Sequence, residues 1–149
     1  VDFFRIFGNN KILQVAALSW FVAQTLKVVH TFLVKKRFDF TRFVGSGGMP
    51  SSHASFVMGL TTAIGLTHGW DSAHFAIALC VSLVIMYDAA GVRRAVGKQA
   101  IILNRMLEDM QHKRKNIITE KRLKELIGHT PIEVFAGAIL GIIIANLMI

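Results

Sequence analysis

The chain has 149 residues, enough for one domain, and 53% of them are hydrophobic, with a mean hydropathy of +0.51. That is too apolar for a typical soluble domain, and the apolar residues come in blocks, so composition points to an all-α polytopic membrane bundle, one domain over residues 1–149. The net charge of +8 does not carry a nucleic-acid reading, because the basic residues gather at the ends of the apolar blocks and are not interleaved with aromatics on a soluble face.

Residues 1–10 mix aromatics with Arg5, Asn9 and Asn10 and read as an interfacial lead-in. Residues 11–34 form the first apolar run, long enough to cross a hydrocarbon core of about 30 Å. Gln14, Gln24, Lys27 and His30 interrupt it. Polar side chains inside a span face other helices or a watery cavity, because facing lipid is costly. Gln24, Lys27 and Thr31 share one helix face by their spacing, and that face is expected to point inward.

Lys35-Lys36-Arg37-Phe38-Asp39-Phe40-Thr41-Arg42 then leads into Gly45-Ser46-Gly47-Gly48-Met49-Pro50-Ser51-Ser52-His53. Gly47 and Gly48 permit a tight turn, Pro50 suits a first helical turn, and a helix N-terminus offers N–H groups to an anion. The same string is also that of an ordinary Ser-capped helix. Residues 51–66 form a second apolar segment rich in small residues (Ala54, Ser55, Gly59, Ala63, Gly65), which favour close helix packing in lipid. Thr67-His68-Gly69-Trp70-Asp71 is a polar turn with an interfacial tryptophan.

Residues 72–86 are the third apolar segment, ending in Tyr87-Asp88-Ala89-Ala90-Gly91-Val92-Arg93-Arg94. Cys80, the only cysteine, lies within it, so no internal disulfide forms. Residues 95–128 change character and read as a helical extension out of the membrane, a solvated loop near 113–119, and a short return helix. Gly128-His129-Thr130-Pro131-Ile132-Glu133 opens the last segment, apolar to Ile149.

Four spans with these connections place every polar constellation on one membrane face: the ends of the first and third spans and the starts of the second and fourth. All of the seventeen Lys and Arg residues except Arg5, Lys11 and Lys27 fall on that side, which makes it cytoplasmic by the positive-inside rule. It gathers Lys35, Arg42, Arg93 and Arg94, a helix N-terminus at Pro50–Ser52, and two histidines, His53 and His129. His129 and Glu133 lie four apart, so the carboxylate can hold the imidazole in one tautomer, or it can simply favour a helix start. Asp88 can pair with Arg93 or Arg94. Cations and N–H groups of this kind stabilise a transferring phosphoryl group, with one histidine attacking phosphorus and the other protonating the leaving oxygen.

These residues resemble the divergent branch of the type 2 phosphatidic acid phosphatase superfamily, relatives of bacterial acid phosphatases and vanadium haloperoxidases. That superfamily carries Lys-x6-Arg-Pro, Pro-Ser-Gly-His and Ser-Arg-x5-His-x3-Asp. Lys35 and Arg42 match the first spacing, with Phe43 in place of proline. Pro50-Ser51-Ser52-His53 matches the second with serine for glycine, and His129-x3-Glu133 matches the end of the third with glutamate for aspartate. The third motif's arginine position holds Leu123, leaving Arg122, Arg93 or Arg94 to supply the cation. The strings Gly-Gly-Met-Pro-Ser-Ser-His, Tyr-Asp-Ala-Ala-Gly-Val-Arg-Arg and Gly-His-Thr-Pro-Ile-Glu-Val resemble the divergent branch specifically. Ordinary members have six spans where this chain has four.

The resemblance implies a membrane-embedded, cofactor-free and metal-free lipid phosphatase working through a phosphohistidine. His129 is then the nucleophile, Glu133 its orienter and His53 the general acid. Lys35, Arg42, Ser51, Ser52, Arg93 and Arg94 form the phosphate cradle, with Gly48 and Asp88 as further candidates, and vanadate is expected to inhibit. A cytoplasmic site in a bacterial plasma membrane favours phosphatidylglycerophosphate or phosphatidic acid as substrate. Membrane lipids are the implied partners, no nucleic acid is expected, and a homodimer that completes the site is compatible with so few spans. The competing class is a membrane protein that kept the cradle without catalysis, as a phospholipid-headgroup binder or an assembly subunit.

Overall fold

Caps and small residues set where the helices begin and how closely they pack. A computed structural model describes residues 8–35, 48–113 and 128–149. It contains α1 (Lys11–Lys35), α2 (Ser52–His68), α3 (Ala73–Ala90), α4 (Val92–Lys113) and α5 (Pro131–Met148), with no strand among the described residues. The expected loop and return helix after residue 113 lie outside the described residues, apart from Gly128, as does the lead-in before Gly8.

Each helix start has a local cause. Asn10 Oδ1 accepts the Leu13 N–H of α1 at 3.1 Å. Ser51 caps α2 by accepting from the Ala54 N–H, and Ser72 caps α3 by accepting from the Phe75 N–H. Thr130 and Glu133 form a reciprocal capping box at α5, with Pro131 in the first turn, where its missing N–H costs nothing.

The core is built on α2, which packs against α1, α3 and α5. Gly137 and Gly141 sit one turn apart on α5, and a Cβ on either would collide with the carbonyl oxygen of Ser51 or Ser55, respectively. Glycine at these two positions therefore lets α5 lie backbone-close to α2, the small-xxx-small packing that drives helix association in lipid. On another side of α2, Ser55 donates to the Ser19 carbonyl of α1 at 3.0 Å. Towards α3, Thr61 and Ser82 share a hydroxyl hydrogen bond of 2.7 Å, and Ser82 also donates to the Val57 carbonyl at 3.1 Å. Hydroxyls thus tie the helices where an apolar solvent gives little driving force. The opposite face of α3, including Ile77, Val84 and Tyr87, is exposed, as a lipid-facing surface is.

Three stretches are long and apolar enough to cross a membrane: Lys11–Leu33, Ala73–Leu107 and Pro131–Met148. The chain is an all-α membrane helical protein. The fourth expected span is α2, whose 17 residues extend about 25 Å, less than a hydrocarbon core of about 30 Å. It is also the helix most enclosed by its neighbours, with nine buried residues. The polar ends converge as the topology required: the Ser51 N–H donates to the Glu133 carbonyl at 3.0 Å and the His129 N–H to the Ala89 carbonyl at 3.2 Å.

Candidate active site

Two helix N-termini, those of α2 and α5, meet beside the C-terminal end of α3. The partial positive charge of the two helix starts favours an anion between them. His129 stands just before α5, fully buried, and its backbone is tied to α3 through Ala89. Its Nδ1 lies 3.2 Å from Glu133 Oε2, and that same oxygen accepts the Thr130 N–H at 3.0 Å. The carboxylate that closes the capping box therefore also sets the imidazole. The two readings of Glu133, contact with the imidazole and closure of the helix start, correspond to contacts that coexist on this one oxygen.

His53 lies one residue into α2, and its ring centroid is 6.2 Å from that of His129, with the planes at 65°. Ser51 and Ser52 are both buried at the α2 N-terminus. Gly48 approaches from the preceding turn with φ +91, a conformation that L side chains rarely adopt, and a Cβ there would lie 3.3 Å from Lys27 Cγ.

Lys27 is the cation the motif reading did not place in the site. It is only 2% exposed, and its Nζ donates to Ser52 Oγ at 3.4 Å, so α1 delivers an ammonium group to the foot of α2. The signal was present in the sequence: a lysine in an apolar run, on a face shared with Gln24, and Gln24 is likewise buried. The motif spacing favoured Lys35 instead. Lys35 ends α1, eight residues and about 12 Å beyond Lys27, and its side chain is outside the described residues. Arg42 and Arg122 also lie outside them; Arg93 and Arg94 fall in the first turn of α4, with side chains not described. Asp88 is half-buried in the last turn of α3, one residue before Ala89.

The structure thus brings together His53, His129, Glu133, Ser51, Ser52 and Gly48, and adds Lys27. A family model described as the Divergent PAP2 family matches residues 8–144, a stretch that carries every one of these. The chain belongs to the divergent PAP2 family. A similar protein is the uncharacterized membrane protein YuiD of Bacillus subtilis (strain 168), 40% identical over 131 residues, covering 82% of this chain and 83% of that one. No solved structure matches the chain. The divergent PAP2 assignment agrees with the resemblance carried by the glycine-rich string and the His129–Glu133 pair, and the membrane location agrees with the apolar helices.

Proposed function

We propose that the chain is a lipid phosphate phosphatase that cleaves a phosphomonoester through a phosphohistidine. The observation carrying this reading is the pairing of two imidazoles, 6.2 Å apart, with a carboxylate on Nδ1 of the buried one. With Nδ1–H directed at Glu133, the lone pair of His129 resides on Nε2, which attacks phosphorus. The P–N bond forms as the ester P–O bond breaks, and His53 gives its proton to the departing alkoxide. His53 then takes a proton from water, whose oxygen attacks phosphorus. Breakage of the P–N bond releases inorganic phosphate and restores His129.

Lys27 and the positive N-terminus of α2, through the Ser52 N–H, hold the phosphoryl oxygens as charge spreads over them. Lys35, Arg42, Arg93 and Arg94 complete the cradle in this reading, on the cytoplasmic face of a bacterial plasma membrane. Phosphatidylglycerophosphate and phosphatidic acid, made on that leaflet, are the favoured substrates.

The test is phosphate release by the purified protein from dioctanoyl phosphatidic acid and from dioctanoyl phosphatidylglycerophosphate. Release that is abolished in His129→Ala, falls by roughly a hundredfold or more in His53→Ala, and is inhibited by orthovanadate supports the enzyme. Saturable lipid binding without any release replaces it with the headgroup-binding class.

A further inference from the structure

Three faces of α2 are covered. Ser52, Ser55 and Ala63 turn to α1, Val57 and Thr61 to α3, and Ser51 and Ala54 to α5. The remaining stripe is His53, Phe56, Leu60, Ile64 and Thr67, at helical spacing, and none of these five is buried. The two helices flanking it, α1 and α3, make no close backbone approach to each other among the described residues. Among the described residues the stripe therefore floors an apolar channel along α2, open between α1 and α3, with a site histidine at its head.

We propose that this channel seats the hydrocarbon tail of the substrate, so that a phosphate-bearing lipid reaches the site sideways, between α1 and α3. The location of the headgroup rests on the phosphatase reading; the channel itself does not. Continuity decides the occupant. The imidazole of His53 and the apolar side chains of Phe56, Leu60 and Ile64 lie on one unbroken face, matching an amphiphile whose polar end is a phosphate. Depth agrees with it: Ser52 meets α1 at Lys27, about 12 Å short of the end of that helix. A lipid descending onto so recessed a site from the aqueous side would draw its tail out of hydrocarbon, whereas lateral access keeps it there. The distance from Phe56 to Ile64 is also about 12 Å, most of the roughly 15 Å depth of one leaflet.

Lipid tails are as apolar as leucine, so seating one here gains little over leaving it in the bilayer. The channel acts by aligning the phosphate with the histidines. Filling it should therefore harm long-tailed substrates selectively. In Leu60→Trp, kcat/KM for dioleoyl phosphatidic acid is expected to fall on the order of tenfold to a hundredfold, with p-nitrophenyl phosphate hydrolysis unchanged. Val84→Trp, on the exposed face of α3, should alter neither. Equal loss on both substrates with the variant still folded, or loss on neither, overturns the proposal.

A second measurement does not depend on turnover. Phosphatidic acid with a photoreactive group in its tail should label the Phe56–Ile64 stretch of the wild-type protein, and excess dioctanoyl phosphatidic acid should suppress that labelling but not labelling around Val84. Labelling of the stripe that competitor leaves unchanged overturns the channel. Competed labelling without phosphate release from any substrate keeps the channel and removes the phosphatase reading.

Discussion

Glu133 uses one carboxylate oxygen twice, for the Thr130 N–H of its own helix start and for Nδ1 of His129. The two roles separate by substitution, because glutamine also closes a capping box but carries no charge to stabilise an imidazolium. Glu133→Gln is expected to keep thermal stability near wild type while phosphate release drops by about a hundredfold or more. Glu133→Ala should lose both, with stability falling by about 1 kcal/mol in denaturation of the detergent-solubilised protein. Lys27→Met fits the same buried space without charge, so the fold should persist while inhibition by orthovanadate weakens by about tenfold or more. At this scale the contact of Glu133 with His129 was legible, since the two lie four residues apart on one helix start, whereas the approach of His53 to His129 followed only from the order of the spans. Lys27 was not assigned to the site, because which residue of α1 lies opposite Ser52 is decided by how α1 and α2 slide against each other. That slide is set by Ser19, Ser55 and Gly59, where a Cβ on Gly59 would strike the Ser19 hydroxyl.

Among the elements, α5 carries the strictest packing demand. Gly137 and Gly141 meet backbone atoms of α2, which cannot swing aside as a flexible side chain would. Gly141→Val should therefore push α5 away from α2, destabilise the protein by about 1–3 kcal/mol and pull His129 away from His53, costing activity as well. Gly8→Ala, where a Cβ meets nothing within 4 Å, serves as the neutral control in the same thermal-inactivation assay. Helix limits were largely legible: the expected segments 51–66 and 72–86 are Ser52–His68 and Ala73–Ala90, because Ser51, Ser72 and Gly69 punctuate the chain. The centrality of α2 was less so. Its small residues announced close packing, but only the assembled helices show that three neighbours use three different faces of it.

For the molecule as a whole, the sequence required four helix ends to gather at one membrane face. The Ser51–Glu133 and His129–Ala89 backbone bonds realise this for α2, α3 and α5. The sidedness proposed above is open to a direct measurement. With Cys80→Ser as background, Lys98→Cys is expected to react with an impermeant maleimide only in inverted vesicles, and Asp71→Cys only in intact cells; the reverse pattern would put the site outside. The brevity of α2 has a consequence for the surrounding bilayer. A helix of about 25 Å in a hydrocarbon layer of about 30 Å leaves a mismatch that lipids relieve by compressing, so a dimple should form over the recessed histidines. Water held in that dimple would supply the second half of the hydrolysis. Host vesicles of longer-chain phosphatidylcholine, which resist compression, should then slow turnover, while shorter-chain vesicles should speed it.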